Sequence, residues 1–258
     1  MDTLDDKVNK SALEAQVKDM YRQVAQNPRG EYHFEMGRDL AEKLGYPSAD
    51  LDAIPAEAVE SFAGVGYHFD LAALKPGEHA LDVGSGSGTD VFFAARKVGP
   101  AGHVVGVDMT DEQLAKAEGL RQRYGFENVS FVKGYIEQIP VPDGGFDVAV
   151  SNGVINLSAE KVRVVQEVSR ALKVGGRLAI SDIMASHNLS ERIKANAELW
   201  AACIGGAVTE QELRQYLEHA HLQLVEFREN PQYKFLTHPD VMEKYGIKSV
   251  SLLAIKTA

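Results

Sequence analysis

Cysteine is almost missing from this chain. Cys203 is the single one in 258 residues, so no internal disulfide can brace the fold, and a reduced, cytoplasmic setting fits. No apolar run approaches the roughly 18 residues that a membrane-spanning helix needs. The first residues, Met1 to Asp6, lack the basic and apolar regions of a signal peptide. Clusters of Lys and Arg are missing too. With a net charge of −10, that argues against a nucleic-acid surface, because phosphate binding relies on such clusters. Repeats and low-complexity tracts are absent as well. What remains is an ordinary globular composition, 45% hydrophobic and 25% charged, on a chain long enough to bury a full core. A small-molecule substrate is the partner to expect, with no nucleic acid and no membrane.

Glycine, by contrast, is placed with purpose. A short apolar run from His79 to Val83 breaks into Gly84, Gly86 and Gly88, and a helical pattern starts near Asp90. Strand, tight turn and helix start follow one another. Glycines at this spacing let the backbone turn sharply and come within contact distance of a ligand. The free N–H groups of the following helix point at the same place. A second strand, His103 to Asp108, ends in a carboxylate 22 positions beyond Gly86, which suits hydrogen bonds from ribose hydroxyls. A nucleoside-containing cofactor is expected.

The rest of the chain fits around that unit. Apolar spacing predicts a helix over residues 7–26, a second over 36–44 closing on Gly45, and a third over 55–62 with Pro55 in its first turn. These helices, within residues 1–70, are expected to form a lid over cofactor and substrate. Strands are predicted at 79–83, 103–108, 128–133, 146–150 and 177–181, with helices at 90–98, 111–124 and 159–172 between them. Residues 183–208 form an insertion expected to contribute to the substrate pocket. Thr209 and Glu212 make a possible capping box for a helix to about Ala220. Strand-like runs at 222–228 and 249–255 complete the pattern. Strands alternating with helices in this way predict an α/β fold: a Rossmann-like, seven-stranded, mostly parallel sheet with helices on both faces over residues 71–258.

The stretch from Leu81 to Gly88 resembles motif I of the class I S-adenosylmethionine-dependent methyltransferases. Gly106 to Thr110, Gly134 to Glu137, Phe146 to Asn152 and Arg170 to Arg177 resemble further motifs of that family, in its order and at its spacings. The resemblance implies S-adenosyl-L-methionine as cofactor and a last strand antiparallel to its neighbours. By the same resemblance Asp82, Gly84, Ser85 and Gly86 surround the methionine part, and Asp108 holds the ribose. Met109 packs on the adenine, with Ile136 and Glu137 on its other face or edge. Asn152 lies near the methionine amino group, and Tyr21 closes the lid over the carboxylate.

The run from 74–78 through to 181–183, with 106–110 and 151–158 within it, and the stretch 203–207 are similar to the arsenite methyltransferases in particular. Those enzymes hold trivalent arsenic on cysteine thiolates, the soft ligands that soft metalloids prefer. At two of the family's cysteine positions this chain has Val65 and Gly153, and only Cys203 is retained. The fold and cofactor site are expected to carry over without the arsenic chemistry, leaving an apolar, roomier pocket beside Asn152 for an organic acceptor with an O, N, S or C nucleophile. No metal site is expected. A hydroxyl or acidic carbon needs a base, and His68, Tyr67, His33 and Glu35 are candidates flanking the entrance. Cys203 reads as a nucleophile, a substrate contact or a packed core residue. Three other readings compete: a metalloid methyltransferase using Cys203, a non-catalytic S-adenosylmethionine-binding protein, and an NAD(P)-binding dehydrogenase, which the glycine spacing fits poorly.

Overall fold

A computed structural model of the protein describes residues 10–30, 32, 34–196, 199–200, 203–236 and 238–258. Its centre is a sheet with strand order β3-β2-β1-β4-β5-β8-β7, in which β1 is His79–Val83, β2 His103–Asp108, β3 Val129–Lys133, β4 Phe146–Asn152, β5 Leu172–Ala185, β7 Leu222–Glu229 and β8 Lys248–Lys256. Strands β1 to β5 pair in parallel, and β8 runs antiparallel between β5 and β7. A two-residue strand, β6 (Val208–Thr209), pairs with the end of β5.

Side-chain alternation explains why the sheet is covered on both faces. Ala80, Val148 and Val150 point into one core with α2 (Gly37–Leu44), α3 (Ser48–Leu51), α4 (Ala56–Val59), α5 (Phe69–Ala72) and α6 (Thr89–Val98). Leu81, Val83 and Ala149 point into the other, against α8 (Lys161–Ala171) and α10 (Glu210–His219). Helix α7 (Asp111–Tyr124) packs beside β3 and carries α1 (Lys10–Gln26) on its outer side. The α10 capping box forms as read from the sequence, with Thr209 and Glu212 exchanging hydrogen bonds.

Some elements differ from expectation. Strand β5 is 14 residues long: it begins at Leu172, ahead of the Gly175–Gly176 pair expected to separate it from the helix, and runs on to Ala185. Gly175 takes φ +81, and a register irregularity opposite Phe146 and Val148 absorbs the bend. Helix α4 covers only Ala56–Val59, and the one-turn helices α3 and α5 carry too few residues for a periodic signal. A short helix, α9 (Glu191–Lys194), lies in the 183–208 stretch, and a further one, α11 (Pro239–Tyr245), has a proline in its first turn, where the missing N–H costs nothing.

The strand order reverses between β1 and β4, and at that switch point the carboxyl ends of β1, β2 and β4 open a crevice. Helix α1 lies over it. Leu13 and Val17 pack against Trp200, with Tyr21, Met109 and Leu157 alongside.

Candidate active site

The crevice is a cavity of about 520 Å³. Its floor is the turn between β1 and α6. The N–H groups of Gly84 and Ser85 both donate to the Val107 carbonyl, at 2.9 and 3.0 Å, which ties the turn to β2. A Cβ on Gly84, at φ +81, would stand 2.5 Å from Val154. A Cβ on Gly86 would meet nothing closer than Gln113 Oε1 at 3.8 Å, so the turn presents bare backbone to open space there. Helix α6 then starts on Gly88 with no side-chain cap, leaving its first N–H groups for a ligand.

Carboxylates ring the cavity. Asp108 accepts hydrogen bonds from Gly86 N at 2.9 Å and Thr110 N at 2.8 Å, so it shapes the turn as well as the wall. Burial raises its pKa, and these donors pull it back. Asp82 is buried, and burial with the nearby Asp90 and Asp108 charges holds its carboxyl well above the usual range. Its Oδ2 has no hydrogen-bond partner, and neither has the buried Ser85 hydroxyl. Asp90, on the first turn of α6, accepts from the Tyr46 hydroxyl at 2.7 Å and from Asn152 Nδ2 at 3.2 Å.

Asn152 ends β4 and joins four segments. Its Oδ1 accepts from Val65 N at 2.7 Å and Gly66 N at 3.3 Å, and its Nδ2 donates to Tyr46, Asp90 and the Gly66 carbonyl. At the opposite end of the cavity stand Met109, Ile136 and Glu137. Glu137 accepts from the Ser158 hydroxyl, and Arg163 Nε donates to the Glu137 carbonyl at 2.6 Å. Over the top, Glu14 of α1 joins Lys18 and Tyr135 in a three-way contact at 2.5–2.9 Å. Gln113 supports α1 from below, donating to the Tyr21 carbonyl at 2.8 Å.

All ten residues that the sequence offered for cofactor binding line this one cavity: Tyr21, Asp82, Gly84, Ser85, Gly86, Asp108, Met109, Ile136, Glu137 and Asn152. The catalytic candidates among the described residues do not. His68 is wholly buried behind Asn152, its Nδ1 3.3 Å from Ser181 Oγ and its ring 4.7 Å from that of Phe69. Burial pushes its pKa down to about 3. Tyr67 packs edge-on to Tyr46 and Phe93, and burial pushes its hydroxyl up to about 12. Glu35 pairs with Lys43 at 2.6 Å, away from the cavity lining. His33 lies outside the described residues. Cys203 is buried in an apolar cluster with Val65 and Ile204, and burial raises its thiol to about 12.

Two further expectations need correcting. The space beside Asn152 is filled rather than roomy: Val65 is buried, and a Cβ on Gly153 would lie 3.2 Å from its Cγ1. The 183–208 stretch supplies no described residue to the cavity lining, because Trp200 meets α1 from behind. Sequence reading missed Tyr46, and it took Asp90 only as a helix start. Tyr46 follows a helix-ending glycine and carries no motif, so nothing local marks it.

These groups suit S-adenosylmethionine. Buried oxygens without partners on Asp82 and Ser85, bare backbone at Gly86 and free helix N–H groups await a ligand with cationic, hydroxyl and carboxylate functions. A methyltransferase domain matches residues 74–221, more than half of the chain. The chain belongs to the S-adenosylmethionine-dependent methyltransferases. Among its relatives, the arsenite methyltransferase of Halobacterium salinarum is 40% identical over 186 residues, 72% of this chain and 47% of that protein. That of Aquipseudomonas alcaligenes is 48% identical over 143 residues, 53% of this chain and 41% of that protein. This methyltransferase therefore spans about half the length of these relatives. Among solved structures, an arsenic(III) S-adenosylmethionine methyltransferase from Chlamydomonas reinhardtii matches with a TM-score of 0.68 and 29% identity, over 82% of this chain and 73% of that one. Among the described residues no helix is long and apolar enough to cross a membrane, and no cluster of His, Cys, Asp and Glu is arranged to hold a metal ion.

Proposed function

We propose that this methyltransferase transfers the methyl group of S-adenosylmethionine to a small organic molecule in a cytoplasmic setting. The carrying observation is the state of its thiols. Cys203 is the chain's one cysteine, buried and outside the cavity lining, with a thiol raised to about 12 and so protonated at neutral pH. Soft metalloids are held by thiolates, and one buried thiol supplies none. Where the arsenite enzymes are expected to carry two further cysteines, Val65 and Gly153 pack against each other.

In this reading the cofactor's sulfonium supplies the methyl group, and the chain's residues hold and orient it. Asp108 takes the ribose hydroxyls and Asp82 the methionine amine, with Asn152 beside it. Met109, Ile136 and Glu137 surround the adenine. The turn at Gly84–Gly86 and the start of α6 hold the rest of the methionine part. Helix α1, with Tyr21, covers the cavity as a lid and excludes water, which methyl transfer to a chosen nucleophile requires. None of His68, Tyr67 and Cys203 reaches the cavity, so an amine or thiol acceptor, which needs no dedicated base, suits the site better than a hydroxyl.

The names of the relatives favour a second reading, arsenite methylation through Cys203. Both are tested by incubating the protein with methyl-tritiated S-adenosylmethionine, with arsenite or with a mixture of small amines and thiols. Label transfer to the organic fraction is the expected result. Label transfer that requires arsenite and disappears in Cys203→Ser would replace this reading with the second.

A further inference from the structure

The cavity carboxylates are not alike. Glu14 is paired with Lys18 at 2.8 Å, and Asp108 carries two backbone N–H groups. Asp82 and Asp90, by contrast, are buried, and among the described residues neither forms an ion pair with a lysine, arginine or histidine of the chain. Asp90 receives only neutral donors, the Tyr46 hydroxyl and the Asn152 amide. Asp82 keeps one oxygen with no partner at all. Two neighbouring buried carboxylates cannot both stay ionised in a closed site without a positive charge close by. They must hold a proton or a cationic ligand.

The groups that face the pair are all negative or neutral. Asp108 comes from β2, Tyr46 follows α2, Asn152 ends β4, and Tyr67 lies in the aromatic layer behind. Burial pushes Asp90 up to about 6, although Tyr46 and Asn152 pull it down. Burial, then the charges of Asp90 and Asp108, raise Asp82 further.

Resting on S-adenosylmethionine as cofactor and not on which acceptor it serves, we infer that Asp90, acting with Asp82, is the residue that separates the sulfonium cofactor from its demethylated thioether product. The empty cavity keeps a proton on the pair, and a cationic ligand sends that proton to solvent. In methyl transfer the carbon–sulfur bond breaks and its electron pair stays on sulfur, so the product carries one positive charge fewer. The ionised pair then holds the product less firmly, which favours its exchange for fresh cofactor. Above the titration of the pair, cofactor is preferred over product by roughly tenfold, the order expected for a unit charge several ångströms from a carboxylate at intermediate dielectric. Below it both carboxyls are protonated and the preference fades.

The experiment is calorimetric titration of the whole protein with S-adenosylmethionine and, separately, S-adenosylhomocysteine. It runs from about pH 5 to about pH 8 in buffers of different ionisation enthalpy, which count the protons released. Wild type is expected to release a fraction of a proton per cofactor near neutral pH, less per product, with the affinity ratio growing roughly tenfold across the range. Asp90→Asn should bind both ligands with a ratio flat in pH. Tyr46→Phe keeps the carboxylate but removes a donor that lowers its pKa, so its midpoint should move to higher pH; this variant decides the matter where Asp90→Asn does not fold. A wild-type ratio independent of pH, or an Asp90→Asn ratio that tracks wild type, overturns the proposal while leaving the cofactor assignment intact. Failure of wild type to bind either ligand overturns both.

Discussion

Two polar layers meet at Asn152, and they behave in opposite ways. In front, the cavity wall leaves Asp82 Oδ2 and Ser85 Oγ without partners beside bare glycine backbone. Behind, the Val65 carbonyl, Ser181, Asn230, Ser249 and Ser251 satisfy one another: Ser249 Oγ donates to the Val65 carbonyl at 2.5 Å, Asn230 Nδ2 donates to Ser249 and Ser251, and Ser181 meets Ser251 at 2.7 Å. Both layers are rich in groups that catalyse reactions elsewhere. His68 Nε2 in the back layer also lacks a partner, but it is fully enclosed, and only the front layer is open. Polarity alone does not mark a site; polar groups left unsatisfied beside open space do.

The largest effect should come from the front layer. Asp108→Ala removes the proposed ribose ligand, whose two hydroxyl contacts to a carboxylate would be worth about 1.5–3 kcal/mol each. Cofactor affinity should fall at least about a hundredfold by calorimetry, and the urea midpoint should drop as well, because the Gly86 and Thr110 N–H groups lose their acceptor. An affinity loss below about fivefold would mean that the front layer is as structural as the back.

The back layer should answer to pH instead. His68 is neutral and buried, with its pKa lowered to about 3. Between that value and the ordinary histidine range of about 6.5, the unfolded chain binds the extra proton, so stability rises with pH across this window and is lost as pH falls through it. The effect is on the order of a few kcal/mol. Chemical denaturation of wild type and His68→Phe at a series of pH values should show a flatter acid limb in the variant, with cofactor affinity nearly unchanged. Equal limbs would remove His68 from the account of acid stability.

The rim should matter least. Lys18, Glu14 and Tyr135 hold α1 down through a contact that is partly exposed and screened. Tyr135→Phe should weaken cofactor binding by no more than about threefold, and added salt should shrink the difference. A large, salt-independent loss would place Tyr135 with the front layer.

The same division governs how much could be read from the sequence. Strands β1 and β2, the turn between β1 and α6, and Asp108 were legible because one short stretch of backbone fixes them: alternating apolar residues, glycines forced to positive φ, a carboxylate at a strand end. Tyr46 was not, since it meets Asp90 across 44 positions of chain through tertiary packing alone. The aromatic–His–aromatic–acid run at 67–70 looked like an entrance and is instead the one-turn helix α5 and its lead-in. Phe69 stacks on Phe93 with ring centroids 4.4 Å apart, His68 is enclosed, and Asp70 turns outward to Arg228 at 2.6 Å. Composition gives no sign of which side of a sheet such a run will face.

Trp200 packs under the apolar stripe of α1, with Lys161 Nζ 4.4 Å from its ring centroid. It is also the chain's only tryptophan. An indole placed between the helix that covers the cavity and a buried lysine is an optical gauge of that helix: were α1 to lift, the ring would lose apolar neighbours and gain water. Any movement of the covering helix would thus carry its own emission signal in the unlabelled protein, on the timescale of lids in general.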